Sequence, residues 1–133
     1  MPVNFIPPVV IPYLAGALGA VIGGTFADID LAPPIPLRHR SAWTHGPIIP
    51  LLLYGTVATV PYILFFAVGF LPAYILHLLA DMLPKKWRGG ALVSWYPLGA
   101  WRMPAVLSLA WLAMGVGVAG RVWWTLVGPM WPI

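Results

Sequence analysis

The stretch "PIIPLLLYGTVATVPYILFFAVGFLPAYILHLLADML", residues 47–83, decides the fold, because the number of helices depends on where it breaks. As one helix, its 37 residues would extend about 55 Å at about 1.5 Å per residue. That length is too great for one straight crossing of a bilayer core of roughly 30 Å and short for two ordinary crossings. Gly69 and Pro72 mark the best place for a reversal. We therefore predict two short helices, over 47–67 and 71–83, with the prolines inside the first only bending it.

The composition around this stretch is that of a membrane protein. The chain has 133 residues, of which 61% are hydrophobic and 8% charged, with a mean hydropathy of +0.90. A soluble domain carries about 25% charged residues, so this chain lacks the polar groups for an ordinary wet surface. We predict an all-α, polytopic membrane protein, a single domain over 1–133 that forms a bundle of about four short transmembrane helices. Cysteine is absent, which excludes thiolate metal sites.

Two further apolar segments complete the predicted bundle. They cover 9–26 and 104–126, and polar, proline-containing or basic connections occupy 28–46 and 84–103. The first segment contains "AGALGAVIGG", residues 15–24, whose small side chains at helical spacing let another helix approach closely. The net charge of +4 comes from seven Lys and Arg against three Asp. With so few charges, this balance predicts membrane orientation and contact with membrane lipids, with no nucleic-acid partner.

Every acidic residue and every histidine falls near one of three predicted helix ends. "DID" follows the first helix, "HRSAWTH" precedes the second, and "HLLAD" ends the third. If residues 47–83 divide evenly, all six side chains lie at one face of the membrane. Most of the basic residues share that face, which the positive-inside rule makes cytoplasmic. The six are Asp28, Asp30, His39, His45, His77 and Asp81.

Carboxylates and imidazoles in this number are the ligand inventory of a divalent metal site. His77 and Asp81 lie one helical turn apart and project from the same helix face. We predict that all six residues bind metal, with Zn²⁺ favoured and Mn²⁺ or Fe²⁺ as alternatives, and with room for one ion or two. The local alternatives are a hydrogen bond within "HxxxD" and a helix cap at "DxD"; a histidine that ligates a pigment or haem is a further one.

The combined pattern "ADID…HRSAWTHG…HLLADM" resembles the bacterial inner-membrane, metal-dependent hydrolase family typified by LexA-regulated, YdjM-like proteins. That family shows P-D-x-D-H, then H-R-G-x-T-H-S, then H-x-x-x-D before a Thr-Pro-Gly loop, and the resemblance covers about residues 15–100 in the same order. It implies a multi-pass protein of the bacterial inner membrane that binds metal through the same six residues. Arg40 and Thr44 also match the family's pattern.

Four single positions and one ending depart from that pattern; the ending "DMLPKK" replaces the family's "DMLTP" type. Ala27 stands where the family has Pro, Leu31 where it has His, Ser41 where it has Gly, and Gly46 where it has Ser. The histidine missing at 31 removes a ligand or proton carrier. The departures leave a metal site in place and leave open whether the chain turns over a substrate.

Two functions from different classes follow. The first is a metal-dependent hydrolase acting on a lipid-like ester or phosphoester at the cytoplasmic face. Because the chain has no Glu, an Asp must be the general base; Asp28 is our first choice and Asp81 the second. Arg40 is the candidate for holding an anionic group of the substrate. The second is a non-catalytic accessory subunit of a larger respiratory or photosynthetic membrane complex, which 16 prolines and very little polar sequence would suit.

Overall fold

The computed structural model describes residues 10–31, 40–83, 93–95 and 102–130; for Asp30, Leu31 and Met130 it describes the backbone alone. In these ranges the chain is all-α, which confirms the predicted fold class. Short 3₁₀ turns follow the first helix, join the second to the third, and follow the last. The four α-helices are α1 (Val10–Phe26), α2 (Ile48–Thr59), α3 (Leu64–Asp81) and α4 (Ala105–Val127).

Three of the helical segments are long and apolar enough to cross a membrane. They cover Val10–Ile29, Pro61–Asp81 and Ala105–Val127 and contain 20, 21 and 23 residues. The remaining helix, α2, has 12 residues and is only about 18 Å long. This length is less than the thickness of a bilayer core, roughly 30 Å. The protein is therefore a multi-pass membrane protein with three candidate spans and one shorter helix.

The predicted position of the central break is wrong. The chain turns at Val60, whose φ of −129° and ψ of 83° leave the helical region, and Pro61 then opens a 3₁₀ turn that leads into α3. A residue before proline is pushed out of the helical region by the proline ring, and Val60 is β-branched besides. Pro61, which we expected only to bend a helix, is thus the residue that divides the stretch, and Gly69 and Pro72 lie inside α3.

Pro72 is accommodated inside α3 by a hydrogen bond from another helix. Proline has no backbone N–H, so the carbonyl four residues earlier, that of Val68, loses its helical donor. The Trp123 indole of α4 donates to this Val68 oxygen at 3.1 Å. A side chain of a neighbouring helix thereby satisfies the backbone group that proline frees, as buried polar groups in a membrane require.

Glycines bring α1 and α3 into backbone contact. A Cβ added at Gly19 would collide with the Phe66 carbonyl, and one at Gly23 with the Phe70 carbonyl. From the other side, a Cβ at Gly69 would collide with the Gly16 carbonyl. The close helix approach predicted from the small residues of α1 is confirmed, and its partner is α3. Gly69 therefore serves helix packing, which explains why it does not mark a turn.

The segment before α2 enters the bundle as non-helical chain. Gly46 packs against the Trp111 ring, and a Cβ at Gly115 would lie 2.9 Å from Gly46 Cα. Because Trp111 and Gly115 follow Ala105 by six and ten residues, this contact lies about 9–15 Å along α4. The non-helical segment 40–47 thus occupies the space beside α4 that a longer α2 would fill. It places His45 in the interior of the bundle.

Candidate metal centre

Asp28, His45 and His77 come together from three elements of the chain. Asp28 lies in the turn after α1, His45 in the segment before α2, and His77 in the last turns of α3. Each offers one ligand atom, and these three atoms lie within 4.8 Å of one another. The cluster can hold a metal ion. The predicted convergence of three helix ends is therefore present, although the stretch 47–83 breaks elsewhere than expected.

Asp81 adds a second carboxylate to this cluster. Its Oδ2 lies 3.3 Å from His45 Nε2 and 3.3 Å from His77 Nε2. Four ligands at about 2.0–2.1 Å from a tetrahedral ion stand about 3.3–3.4 Å from one another, which is the spacing seen here. His77 Nε2 is also 3.7 Å from Asp28 Oδ1. The two separations from Asp81 thus suit ligands of a single small cation, and Asp28 lies beside them.

Hydrogen bonds fix the orientation of both imidazoles. His77 Nδ1 lies 2.9 Å from the Gly24 carbonyl oxygen, which can only accept. His45 Nδ1 lies 2.9 Å from Thr44 Oγ1, whose own proton goes to the Ser41 carbonyl at 3.3 Å. Each Nδ1 is therefore the donor, and each ring turns its Nε2 toward Asp81. Metal-binding histidines are held in this way in other proteins.

The facing groups repel one another unless a cation lies between them. Nitrogen lone pairs and carboxylate oxygens at 3.3 Å are all acceptors, so a proton or a metal ion must join them. In the part of the chain that the structure describes, His77 Nε2 is buried and its position relative to Asp81 does not meet the geometry of a hydrogen bond. A proton on Nε2 or a metal ion would each remove this repulsion, and the side chains present are of the types that bind a metal ion.

Arg40 places a positive charge against Asp81. One guanidinium nitrogen, Nη2, lies 3.3 Å from Asp81 Oδ1, and both side chains are buried. Buried charges of opposite sign stabilise each other strongly only when well oriented, and the pairing leaves Oδ2 facing the histidines. The predicted role of Arg40 in holding a substrate anion stays a prediction, because its described contact is with Asp81.

The backbone of Arg40 adopts a conformation that is rare for side chains with a Cβ. Its φ is +60°, and such left-handed residues persist where surrounding contacts enforce them. Here the Arg40 carbonyl accepts from Ser94 N–H at 3.0 Å, and Ala42 N–H donates to the Ser94 carbonyl at 2.8 Å. The short segment around Ser94 thus clamps the chain on both sides of Ser41 and directs Arg40 toward Asp81.

Tyr74 holds the other end of the same segment and was missed by the sequence analysis. Its hydroxyl oxygen lies 2.7 Å from the Thr44 carbonyl oxygen and 2.8 Å from that of Gly46, and it accepts from Gly46 N–H at 3.0 Å. Trp111 of α4 donates to the Ala42 carbonyl at 3.1 Å. Tyr74, His77 and Asp81 follow one another at helical spacing, so the pattern that indicated the last two extends to Tyr74.

Exposure falls steeply across the cluster. The side chain of Asp28 is 44% exposed and that of His77 is 11% exposed, whereas Asp81 is at 4% and His45 is fully buried. The cluster is therefore closed on the His45 side and open beside Asp28. The remaining predicted ligands are not placed by these contacts: His39 lies outside the described residues, and for Asp30 only the backbone turn after α1 is described.

Comparisons of the chain with protein-family models, curated proteins and solved structures find no match. The resemblance to the inner-membrane hydrolase family consequently stays a prediction that rests on the quoted motifs. The geometry of the centre stands independently of it.

Proposed function

We propose that the protein is a membrane-embedded, metal-dependent hydrolase that acts on a lipid-like ester or phosphoester. One observation carries the proposal: two imidazole Nε2 atoms and two carboxylates face one buried point, with both Nδ1 atoms already occupied. Zn²⁺ is the ion that such a nitrogen and oxygen set favours, with Mn²⁺ or Fe²⁺ as alternatives. When bound, such an ion polarises an ester or phosphoester oxygen and makes water a better nucleophile near neutral pH.

The ligand assignment follows from burial. Catalytic zinc sites use three protein ligands and keep one position open. We assign His45, His77 and Asp81 as these three, because they are the least exposed and stand 3.3 Å apart through Asp81 Oδ2. Arg40 orients Asp81 through its other oxygen and offsets its charge.

Asp28 is left at the open side with the role of general base. Its carboxylate lies 3.7 Å from His77 Nε2 and is 44% exposed, so it reaches the open position while it remains accessible to water and substrate. A base in this position accepts a proton from the attacking water and can return it to the leaving oxygen. Because the cluster lies where α1 and α3 reach the end of the bundle, an amphiphile whose polar group remains at the membrane surface fits it better than a soluble molecule.

Metal content and turnover test the two parts of the proposal separately. The purified protein, loaded with Zn²⁺ and desalted, is expected to retain one ion, and His77→Gln and Asp81→Asn are expected to lose it. Tyr62→Phe, a change at a 90% exposed side chain in the turn before α3, is the matched control. Asp28→Asn is expected to keep the ion but to lower hydrolysis of long-chain p-nitrophenyl esters or phosphodiesters by about 10²-fold or more, the usual contribution of a general base.

Two results would contradict the proposal. A wild-type protein that binds no metal and co-purifies with a membrane complex supports the accessory subunit instead. A protein that keeps its ion but hydrolyses none of these substrates, or in which Asp28→Asn is as active as wild type, has a structural metal site and no catalytic one.

A further inference from the structure

A single arginine lies inside one of the candidate spans. Arg121 is six residues before the end of α4, which places it about 9 Å from that end. The other six basic residues are outside the three candidate spans. A cation within an apolar span is unfavourable without a counter-charge or a polar surround, so Arg121 calls for a specific environment.

Arg121 lines an open groove between α2 and α4. The groove has a volume of about 500 Å³, and its other walls are mostly apolar. It is wide at Gly117, where a Cβ would meet no atom within 4 Å. Two hydroxyl-bearing side chains, Tyr54 and Thr125, flank the arginine. The remaining lining residues are Leu51, Val118 and Val122. The Thr125 hydroxyl donates to the Arg121 carbonyl at 2.9 Å. The groove therefore combines an apolar channel with one cationic position and the Tyr54 hydroxyl.

The carboxylates of the described side chains, Asp28 and Asp81, lie far from Arg121. Among the described side chains no carboxylate forms an ion pair with it. The neighbouring Trp123 contacts Val68 of α3, which precedes Asp81 by 13 residues, or roughly 20 Å of helix. Asp28 and Asp81 lie at the metal centre, and the backbone of Asp30 lies in the turn after α1. A second copy in the same orientation would carry its acids at that same distant level.

We propose that this groove binds an anionic phospholipid, with the phosphate on Arg121 and an acyl chain along Gly117 and Val118. Guanidinium groups bind phosphate through paired hydrogen bonds, and Tyr54 of the groove lining carries a hydroxyl that can donate another. The lipid supplies the counter-charge that the described chain lacks here, and its acyl chain fills the gap that the small residue at 117 leaves open. This site is separate from the metal centre and does not depend on the proposed hydrolase activity.

Native mass spectrometry of the detergent-solubilised full chain tests this site. With phosphatidylglycerol and phosphatidylcholine added in equal amounts, we expect one retained phosphatidylglycerol molecule per protein. Arg121→Gln should weaken its binding about tenfold or more, as the loss of hydrogen bonds to a charged group implies. Arg102→Gln is the matched control, because it removes the same charge from an exposed position outside the spans and should leave binding unchanged.

Further variants keep the test independent of folding. Arg121→Lys retains the charge without the paired donors and is expected to bind phosphatidylglycerol with intermediate affinity. Equal retention of the two lipids by wild type, or equal losses in Arg121→Gln and Arg102→Gln, would overturn the proposal. So would a photo-crosslinking amino acid in place of Leu51 that captures a partner polypeptide and no lipid.

Discussion

Removal of one oxygen atom at Tyr74 tests how the chain positions the metal centre. The Tyr74 side chain is fully buried, and its hydroxyl bonds to the backbone of residues 44–46 through three groups. In Tyr74→Phe, the Gly46 N–H and at least one carbonyl lose their partner in a site with no room for replacement by bulk water. Each buried polar group left without a partner costs about 1–3 kcal/mol, so for two such groups we expect a total loss of about 2–6 kcal/mol in stability.

The same change should weaken metal binding, since the segment that Tyr74 holds carries His45. The helices and the turn that carry the other three side chains keep their own contacts, so binding is reduced and not abolished. A loss of about 10–100-fold in affinity is typical when a supporting hydrogen bond is removed. Unfolding by SDS in mixed micelles measures the stability, and competition with a chromophoric chelator measures the Zn²⁺ affinity.

Tyr62→Phe is the matched control, because it removes the same atom from a side chain that is 90% exposed. It should change neither quantity. The Tyr74 hydroxyl does not position the segment that carries His45 if Tyr74→Phe unfolds at the same SDS fraction as wild type and binds Zn²⁺ equally well.

Two further predictions concern the packing that brings the helices together. Trp123→Phe should destabilise the protein by about 1–2 kcal/mol, because the Val68 carbonyl loses its hydrogen-bond donor. The loss of stability should be smaller in a Pro72→Ala background, where the backbone N–H of residue 72 supplies the donor. Equal losses in both backgrounds, in the same unfolding assay, would exclude this pairing. Gly19→Ala should cost about 1–3 kcal/mol of stability, because its Cβ overpacks against α3. Gly24→Ala should be tolerated, because its Cβ meets nothing within 4 Å. Equal SDS unfolding midpoints for these two variants would contradict the predicted difference.

The sequence was sufficient for the class of fold and for the convergence of the site. Both follow from composition and from the placement of every Asp and His at helix ends, which does not depend on the exact break in the central stretch. The outer helices α1 and α4 accordingly begin and end within one residue of the predicted ranges.

The position of the break between the helices could not be predicted from local rules. Two residues that usually end a helix, Gly69 and Pro72, lie inside α3 because of contacts with other helices. Gly69 is used for contact with α1, and Pro72 is tolerated because Trp123 from α4 satisfies Val68. Both reasons lie on other helices. Pro61 has no such compensation and divides the stretch.

The sequence also did not predict which of the site residues are buried and which are exposed. Nothing in "HRSAWTH" indicates that Gly46, the residue after it, lies about 9–15 Å along α4. The depth of residues 40–46 depends on hydrogen bonds to their backbone from Tyr74, Trp111 and the Ser94 backbone. For the same reason Arg40 was expected to face substrate, whereas its guanidinium lies against Asp81.

X-ray absorption spectroscopy at the zinc edge of the Zn²⁺-loaded protein tests the central claim most directly. Convergence of His45, His77 and Asp81 predicts nitrogen and oxygen ligands at about 2.0–2.1 Å, with outer-shell scattering from two imidazoles that falls to one in His45→Gln. A spectrum without imidazole scattering, or one that His45→Gln leaves unchanged, would show that zinc is bound elsewhere or not at all.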